Sequence, residues 1–332
     1  MENDRKKVLL IVNPCAGKNK SRTGTFDIVD KFSSNDYEFT VRTTTCQGDA
    51  TNIVKRELEG KDLVVCCGGD GTLNETINGV MDMPKRVPIG YIPTGTTCDL
   101  ASTLGIPSDV KKATDIILRG NTNDYDIGLF NNRYFSYVAS FGAFTKCSYA
   151  TPQKLKNRFG HAAYVATALS EIKDVHGIYM KIEHDGGVIE GKFSFGAISN
   201  STSVAGMFKL IEDDVRLNDG IFEVLLVPEM KIHTIIPTIR KAQKQEYDGK
   251  SIIYIRTKKI KISSPYEEVD WTLDGEYGGK HNEVMVHILE RAVRLCTNDS
   301  PLFIKQPDPV IPEETEEPVE KAKTFKGRKK NK

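Results

Sequence analysis

The apolar residues Leu63-Val64-Val65-Cys66-Cys67 run without a break into Gly68-Gly69-Asp70-Gly71-Thr72. A short apolar run closed by paired glycines reads as a buried strand ending in a turn that needs backbone freedom. Thr72 then reads as the start of a helix. At such a junction the unpaired amides and the positive end of the helix dipole converge, which favours phosphate. Gly69, Gly71 and Thr72 are therefore candidates to hold nucleotide phosphates, and Asp70 to orient a metal ion or its waters. The bland alternative is a tight strand-to-helix turn with a capping Thr.

The same arrangement occurs twice more. The run Val8–Val12 ends at Asn13-Pro14-Cys15-Ala16-Gly17-Lys18, and Ile89–Ile92 ends at Pro93-Thr94-Gly95-Thr96-Thr97-Cys98-Asp99. None of the three has the G-x-x-x-x-G-K-[ST] or G-x-G-x-x-G spacing, so P-loop and dinucleotide-oxidoreductase readings lose their main support. Three loops at the carboxyl ends of strands match the place where open α/β sheets bind ligands.

Up to about residue 128 strands alternate with helices, the strands at Val8–Val12, Tyr37–Arg42, Leu63–Cys67 and Ile89–Ile92. Helices are predicted near Arg22–Phe32, Ala50–Leu58, Leu73–Val80 and Val110–Leu118. This alternation predicts an α/β domain with a mostly parallel sheet over 1–128, joined by a returning segment near 295–304. From 129 to 294 the texture becomes β-rich, with strands at Tyr134–Ala139, Lys192–Ser199, Phe222–Val227, Ile252–Ile255, Lys259–Ser263 and Glu283–Leu289. Turn signals such as Asn218-Asp219-Gly220 divide them, which predicts an antiparallel sandwich. Helical intrusions are expected around His161–Lys173 and Lys231–Gln245, the second kinked or interrupted by Pro237. The span 305–332 is Pro- and Glu-rich and then basic, a composition that predicts a disordered tail.

A formal net charge of +1 gives no basic field, so nucleic acid is not an expected partner. The seven cysteines contain no C-x-x-C pair, which suits a reducing, cytoplasmic setting, and the histidines show no ligand spacing. No apolar stretch approaches the roughly 18 residues of a membrane-spanning helix. A membrane would be met from the surface, with Lys18, Lys20 and Arg22, or Lys154, Lys156, Arg158 and Phe159, as candidate contacts.

The series Asn13-Pro14-x-x-Gly17, Gly68-Gly69-Asp70-Gly71-Thr72-Leu73-Asn74-Glu75, Pro93-x-Gly95-Thr96-x-x-Asp99, Asp126-x-Gly128 and Leu273-Asp274-Gly275-Glu276 resembles the diacylglycerol kinase catalytic family. The likeness runs from about residue 6 to 300 and is greatest to the soluble bacterial members. Sphingosine kinases share the same core, and the Gly-Gly-Asp-Gly-Thr loop alone also occurs in NAD kinases.

The resemblance implies that ATP is bound by Asn13, Pro14, Cys15, Ala16, Gly17, Thr44, Gly69, Asp70, Gly71, Thr72, Leu73, Asn74, Glu75 and Thr96. It implies an acidic catalytic centre of Asp70, Asp99 and Glu276, with Glu276 accepting the proton. It further implies a structural Mg²⁺ held by the Asp219 carboxylate and the carbonyls of Arg216 and Ile221, with Asp126 reaching the ion through water. The acceptor implied is diacylglycerol at a bilayer surface, giving phosphatidic acid, and the assembly implied is a homodimer peripherally associated with the membrane. Another lipid alcohol such as a sphingoid base, an NAD kinase-like soluble acceptor, or an inactive binding module are the alternatives. Many members have Asn-Asp where this chain has Cys98-Asp99, which replaces an amide by a weak thiol donor.

Overall fold

A computed structural model describes residues 5–17, 20–96, 98–143, 177–204, 208–211, 213–229 and 234–305. The helix expected at His161–Lys173, the basic clusters at Lys18–Arg22 and Lys154–Phe159, and the tail beyond Lys305 fall outside the described side chains.

The first part alternates as the sequence predicts: β1 (Lys7–Val12), α1 (Lys20–Ser33), β2 (Glu38–Thr43), α2 (Asp49–Glu57), β3 (Leu63–Gly68), α3 (Asp70–Met81), β4 (Ile89–Pro93), α4 (Asp99–Thr103) and α5 (Val110–Leu118). Its strands pair in parallel in the order β2-β1-β3-β4. Every residue of β3 and β4 is buried, as expected where helices cover both faces of a parallel sheet. Ala50, Ile53 and Val54 of α2 and Ala113, Ile116 and Ile117 of α5 supply the apolar faces that cover it. Helix α3 begins at Asp70, two residues before the expected Thr72, because Gly69 is the extended N-cap (φ −94°, ψ −176°).

The second part contains β5 (Thr122–Phe130), β6 (Arg133–Phe135), β7 (Val138–Gly142), β8 (Ile178–His184), β9 (Gly187–Ser199), β10 (Ser203–Val204), β11 (Phe208–Lys209) and β12 (Phe222–Pro228). It continues with α6 (Ile235–Gln243), β13 (Ile253–Thr257), β14 (Lys259–Ser263), β15 (Val269–Leu273), β16 (Glu276–His281) and β17 (Glu283–Cys296). Pairing is antiparallel, and the long β9 builds the sandwich. Its first half pairs with β8, while its buried second half runs between β7 and β12. Trp271 sits in the enclosed core with the Phe130 and Phe141 rings each 5.0 Å away.

Two expectations need correction. Pro237 neither kinks nor interrupts its helix, because α6 begins at Ile235 and puts the proline in the first turn, where no intrahelical N–H is required. The strand expected over Tyr134–Ala139 is broken between β6 and β7, since the amides of Ser136, Tyr137 and Val138 turn instead to the Asp274 carboxylate.

Among the described residues fifteen strands form one connected sheet. The join is β17, which pairs with β14 and β5 and then reaches β4 in parallel at Leu295↔Ile89. Residues 128 and 294, the expected limits of the two parts, lie inside β5 and β17. No helix among the described residues is long and apolar enough to cross a membrane.

Candidate active site

The parallel register sets the ends of β1, β3 and β4 side by side, with Val12 opposite Cys67 and Gly68 opposite Pro93. The three loops that follow touch backbone to backbone. A Cβ on Gly95 would stand 2.7 Å from the Gly69 Cα, and one on Gly17 (φ +49°) would collide with the Thr94 carbonyl at 1.7 Å. Glycine is required at both positions by space. Asn13 ties the first loop to the second: its amide N–H donates to the Cys67 carbonyl (2.9 Å) and its Nδ2 to Thr72 Oγ1 (2.9 Å). Thr44, after β2, donates its N–H to the Val12 carbonyl and so joins the same edge.

At the centre of this edge α3 presents its first turn. Asp70, Gly71 and Thr72 lie where helical amides have no partner within the helix, and no side chain caps them. Asp70 Oδ2 accepts the Asp99 N–H (2.9 Å), while the Tyr91 hydroxyl donates to Oδ1 (3.3 Å). Burial, and then the like charge of Asp99, push the Asp70 carboxyl up to about 7. A crowded acidic pair of this kind suits a divalent cation arriving with nucleotide, because the cation would relieve the repulsion. Cys98 caps α4 in a left-handed conformation (φ 51°), and burial pushes its thiol up to about 11. Asparagine tolerates that backbone better, which accounts physically for the amide found there in many members.

The opposite wall is the hairpin β15–β16. Leu273 pairs with Glu276, and the two residues between them, Asp274 (φ 50°) and Gly275 (φ 80°), make the left-handed turn that Asp-Gly predicts. Asp274 is nonetheless buried. It accepts the Ser136, Tyr137 and Val138 amides at 2.6, 2.9 and 3.0 Å, and the Asn74 side chain of α3 donates to it as well. This network fixes the hairpin against α3 and delivers Glu276 to the phosphate cradle. A Cβ on Gly71 would lie 3.0 Å from Glu276 Oε1, so the carboxylate rests directly on the first turn of α3.

Asp70, Gly71, Thr72, Asn13 and Glu276 therefore converge, and Asp99 touches Asp70 through its amide. Gly69 and Gly17 shape the loop contacts, while Cys15 and Thr96 are exposed at the rim. Pro14 and Ala16 belong to the first loop, Ala16 being buried. Other side chains of the expected ATP set are committed elsewhere. Leu73 is in the core, Asn74 serves Asp274, and Glu75 accepts the Gly48 and Ala50 amides at the start of α2. The roles of Asp274, Tyr91 and Gln47, which donates to Glu276, were not found by sequence reasoning; of the three only Asp274 carries a local signal, the Asp-Gly pair of a hairpin turn.

Of the residues expected to hold a structural Mg²⁺, Asp126 meets the turn that carries Asp219 and Ile221. Asp126 is buried and accepts the Gly220 (2.7 Å) and Arg291 (2.6 Å) amides, and burial pushes its carboxyl up to about 6. Asp219 Oδ1 accepts the Ile221 amide (3.0 Å), and its Oδ2 receives Arg256 Nη2 (2.8 Å). Arg216 turns its guanidinium to the Val215 carbonyl. Arg256 also faces the buried Glu223 at 3.5 Å, whose carboxylate oxygens have no hydrogen-bond partner. Each Asp219 oxygen thus accepts one hydrogen bond and keeps a second lone pair, and the Arg256 guanidinium is the cation beside it.

The raised Asp70 carboxyl gives a stability prediction. Between pH 4 and 7 the native carboxyl holds a proton that the unfolded chain, ionising near 3.8, has lost. Native stability contributed by this group therefore falls as pH rises through that window and stays low above it. Asp70→Asn should leave stability unchanged near pH 4 and raise it above pH 7 by on the order of 4 kcal/mol, read as the melting temperature of the nucleotide-free protein. A pH-independent difference would refute the assignment.

Comparison with known proteins matches residues 7–130 to the diacylglycerol kinase catalytic domain and residues 140–297 to the YegS C-terminal NAD kinase beta sandwich-like domain. The chain is 36% identical over 278 residues to a diacylglycerol kinase of Staphylococcus epidermidis, covering 83% of this chain and 87% of that one. It is 34% identical over 277 residues to a diacylglycerol kinase of Bacillus subtilis, covering 82% and 91%. A solved Bacillus anthracis protein, provisionally assigned as a diacylglycerol kinase, superposes with a TM-score of 0.75 at 27% identity over 88% of this chain and 98% of its own. Matched along both its nucleotide-loop sheet and its sandwich, the chain belongs to the diacylglycerol kinase family of lipid kinases.

Proposed function

We propose that the protein transfers the terminal phosphoryl group of ATP to the free hydroxyl of diacylglycerol at a bilayer surface, forming phosphatidic acid. The observation that carries this reading is the Glu276 carboxylate resting on Gly71, which puts a proton acceptor against the helix terminus that holds phosphate. The loops after β1, β3 and β4 bind and align the nucleotide, and the amides of Asp70, Gly71 and Thr72 stabilise charge on the phosphoryl oxygens. An aliphatic alcohol is a weak acid, so Glu276 orients the acceptor hydroxyl and takes its proton as the P–O bond forms. Mg²⁺ brought with ATP beside Asp70 would supply charge neutralisation.

The second matched region is named for NAD kinase, which makes a soluble acceptor the rival reading. Purified protein with Mg²⁺-ATP is expected to phosphorylate diacylglycerol in mixed micelles and to leave NAD untouched. Product from NAD alone would replace the lipid reading.

A further inference from the structure

Glu276 is held by a residue outside all three nucleotide loops. Gln47, 229 residues away in sequence and in the loop between β2 and α2, donates from Nε2 to Glu276 Oε2 at 2.9 Å. Among the described residues Gln47 is the side chain hydrogen-bonded to this carboxylate. The bond crosses the cleft, from the nucleotide-loop sheet to the β15–β16 hairpin.

The Gln47 loop is itself fixed. Gly48 N–H donates to Glu75 Oε1 (2.7 Å) and Ala50 N–H to Glu75 Oε2 (3.1 Å), while Thr51 Oγ1 donates to the Glu75 carbonyl (2.7 Å). On the other side of Gln47, the Thr45 N–H and Oγ1 both donate to Asp49 Oδ2, at 2.7 and 2.9 Å. Glu75 lies on α3 one turn beyond Gly71, where Glu276 Oε1 rests. One helix thus meets the base directly at Gly71 and again through Glu75, the loop and Gln47. A carboxylate contacted through both oxygens has its free lone pairs aimed in a fixed direction, which a rotating glutamate on a hairpin would not have.

We infer that Gln47 is a positioning residue for the proton acceptor, its amide fixing the Glu276 carboxylate over the first turn of α3, with Glu75 clamping the loop that carries it. This rests on the reading of Glu276 as base. Its Nε2–carboxylate bond is charge-assisted, so its loss in the near-isosteric Gln47→Met should lower kcat for diacylglycerol about 10- to 100-fold. The KM for ATP should stay within about twofold, and the melting temperature of this exposed substitution should not move. Gln47→Glu, which sets two carboxylates face to face, should lose more. A merely structural role would add to other losses, so the double variant Gln47→Met/Glu276→Gln should be no slower than Glu276→Gln alone.

The contact has its own readout: hydrogen exchange of the Gly275–Tyr277 amides should quicken in Gln47→Met whatever acceptor the enzyme uses. Wild-type kcat or unchanged exchange in Gln47→Met, with Glu276→Gln inactive, overturns the Gln47 inference and leaves the base in place. Wild-type turnover by Glu276→Gln removes the base and this inference together.

Discussion

Glu276→Gln should slow phosphoryl transfer to diacylglycerol by about 10²- to 10⁴-fold, the range removed with a general base, while ATP affinity changes less than about twofold. Glutamine has nearly the shape of glutamate, so it keeps the contact with Gly71 and presents an oxygen to Gln47. What it loses is the ability to accept a proton. Calorimetric titration with ATP, set beside turnover in mixed micelles, separates the two effects. Turnover near the wild-type rate would remove Glu276 from the chemistry, and a matching collapse of ATP affinity would make it a nucleotide ligand.

Asp274→Ala should cost on the order of 3–5 kcal/mol of stability, at the upper end for a single substitution. Alanine abandons three buried amides at Ser136, Tyr137 and Val138 together with the Asn74 side chain. It also forces a methyl side chain onto a left-handed backbone at φ 50°, where aspartate is better tolerated. The hairpin loses its anchor to α3, so activity should fall in the fraction that remains folded. Chemical denaturation and turnover measured on the same preparation test both halves. A midpoint equal to that of the wild type would show that the amide network does not hold the hairpin.

These two carboxylates stand two residues apart, and sequence disclosed them unequally. The strand-to-helix junctions were legible because each is local: β3 is buried on both faces and so apolar throughout, and its glycines mark the place where loops touch. Glu276 was reached through family resemblance, since Asp-Gly-Glu by itself signals only a hairpin. The same signal is incomplete at Asp274, where Asp-Gly accounts for the turn geometry but burial comes from β7 and α3, far away in the chain.

Gln47 carried no signal at all, being one exposed amide in a polar loop. Asn74 and Glu75 sit inside the most readable motif, yet their side chains serve the hairpin and α2. Strand β8 did carry a period-2 pattern, with Ile178, Met180 and Ile182 buried, and was overlooked between less regular neighbours. The approach of Arg256 to Asp219 was likewise invisible, because Glu223 and Arg256 meet through the β12–β13 register.

Strand β17 runs from the sandwich into the parallel sheet without a linker, and its pairing with β5 slips between Leu289 and Val293. At that slip Arg291 takes a left-handed conformation (φ 51°), and its amide is held by Asp126. In mechanical terms β17 is one continuous beam through both parts, with a notch at this slip. The buried carboxylate of Asp126 is the pin at that notch, since it holds the Arg291 amide on one side and the Gly220 amide on the other.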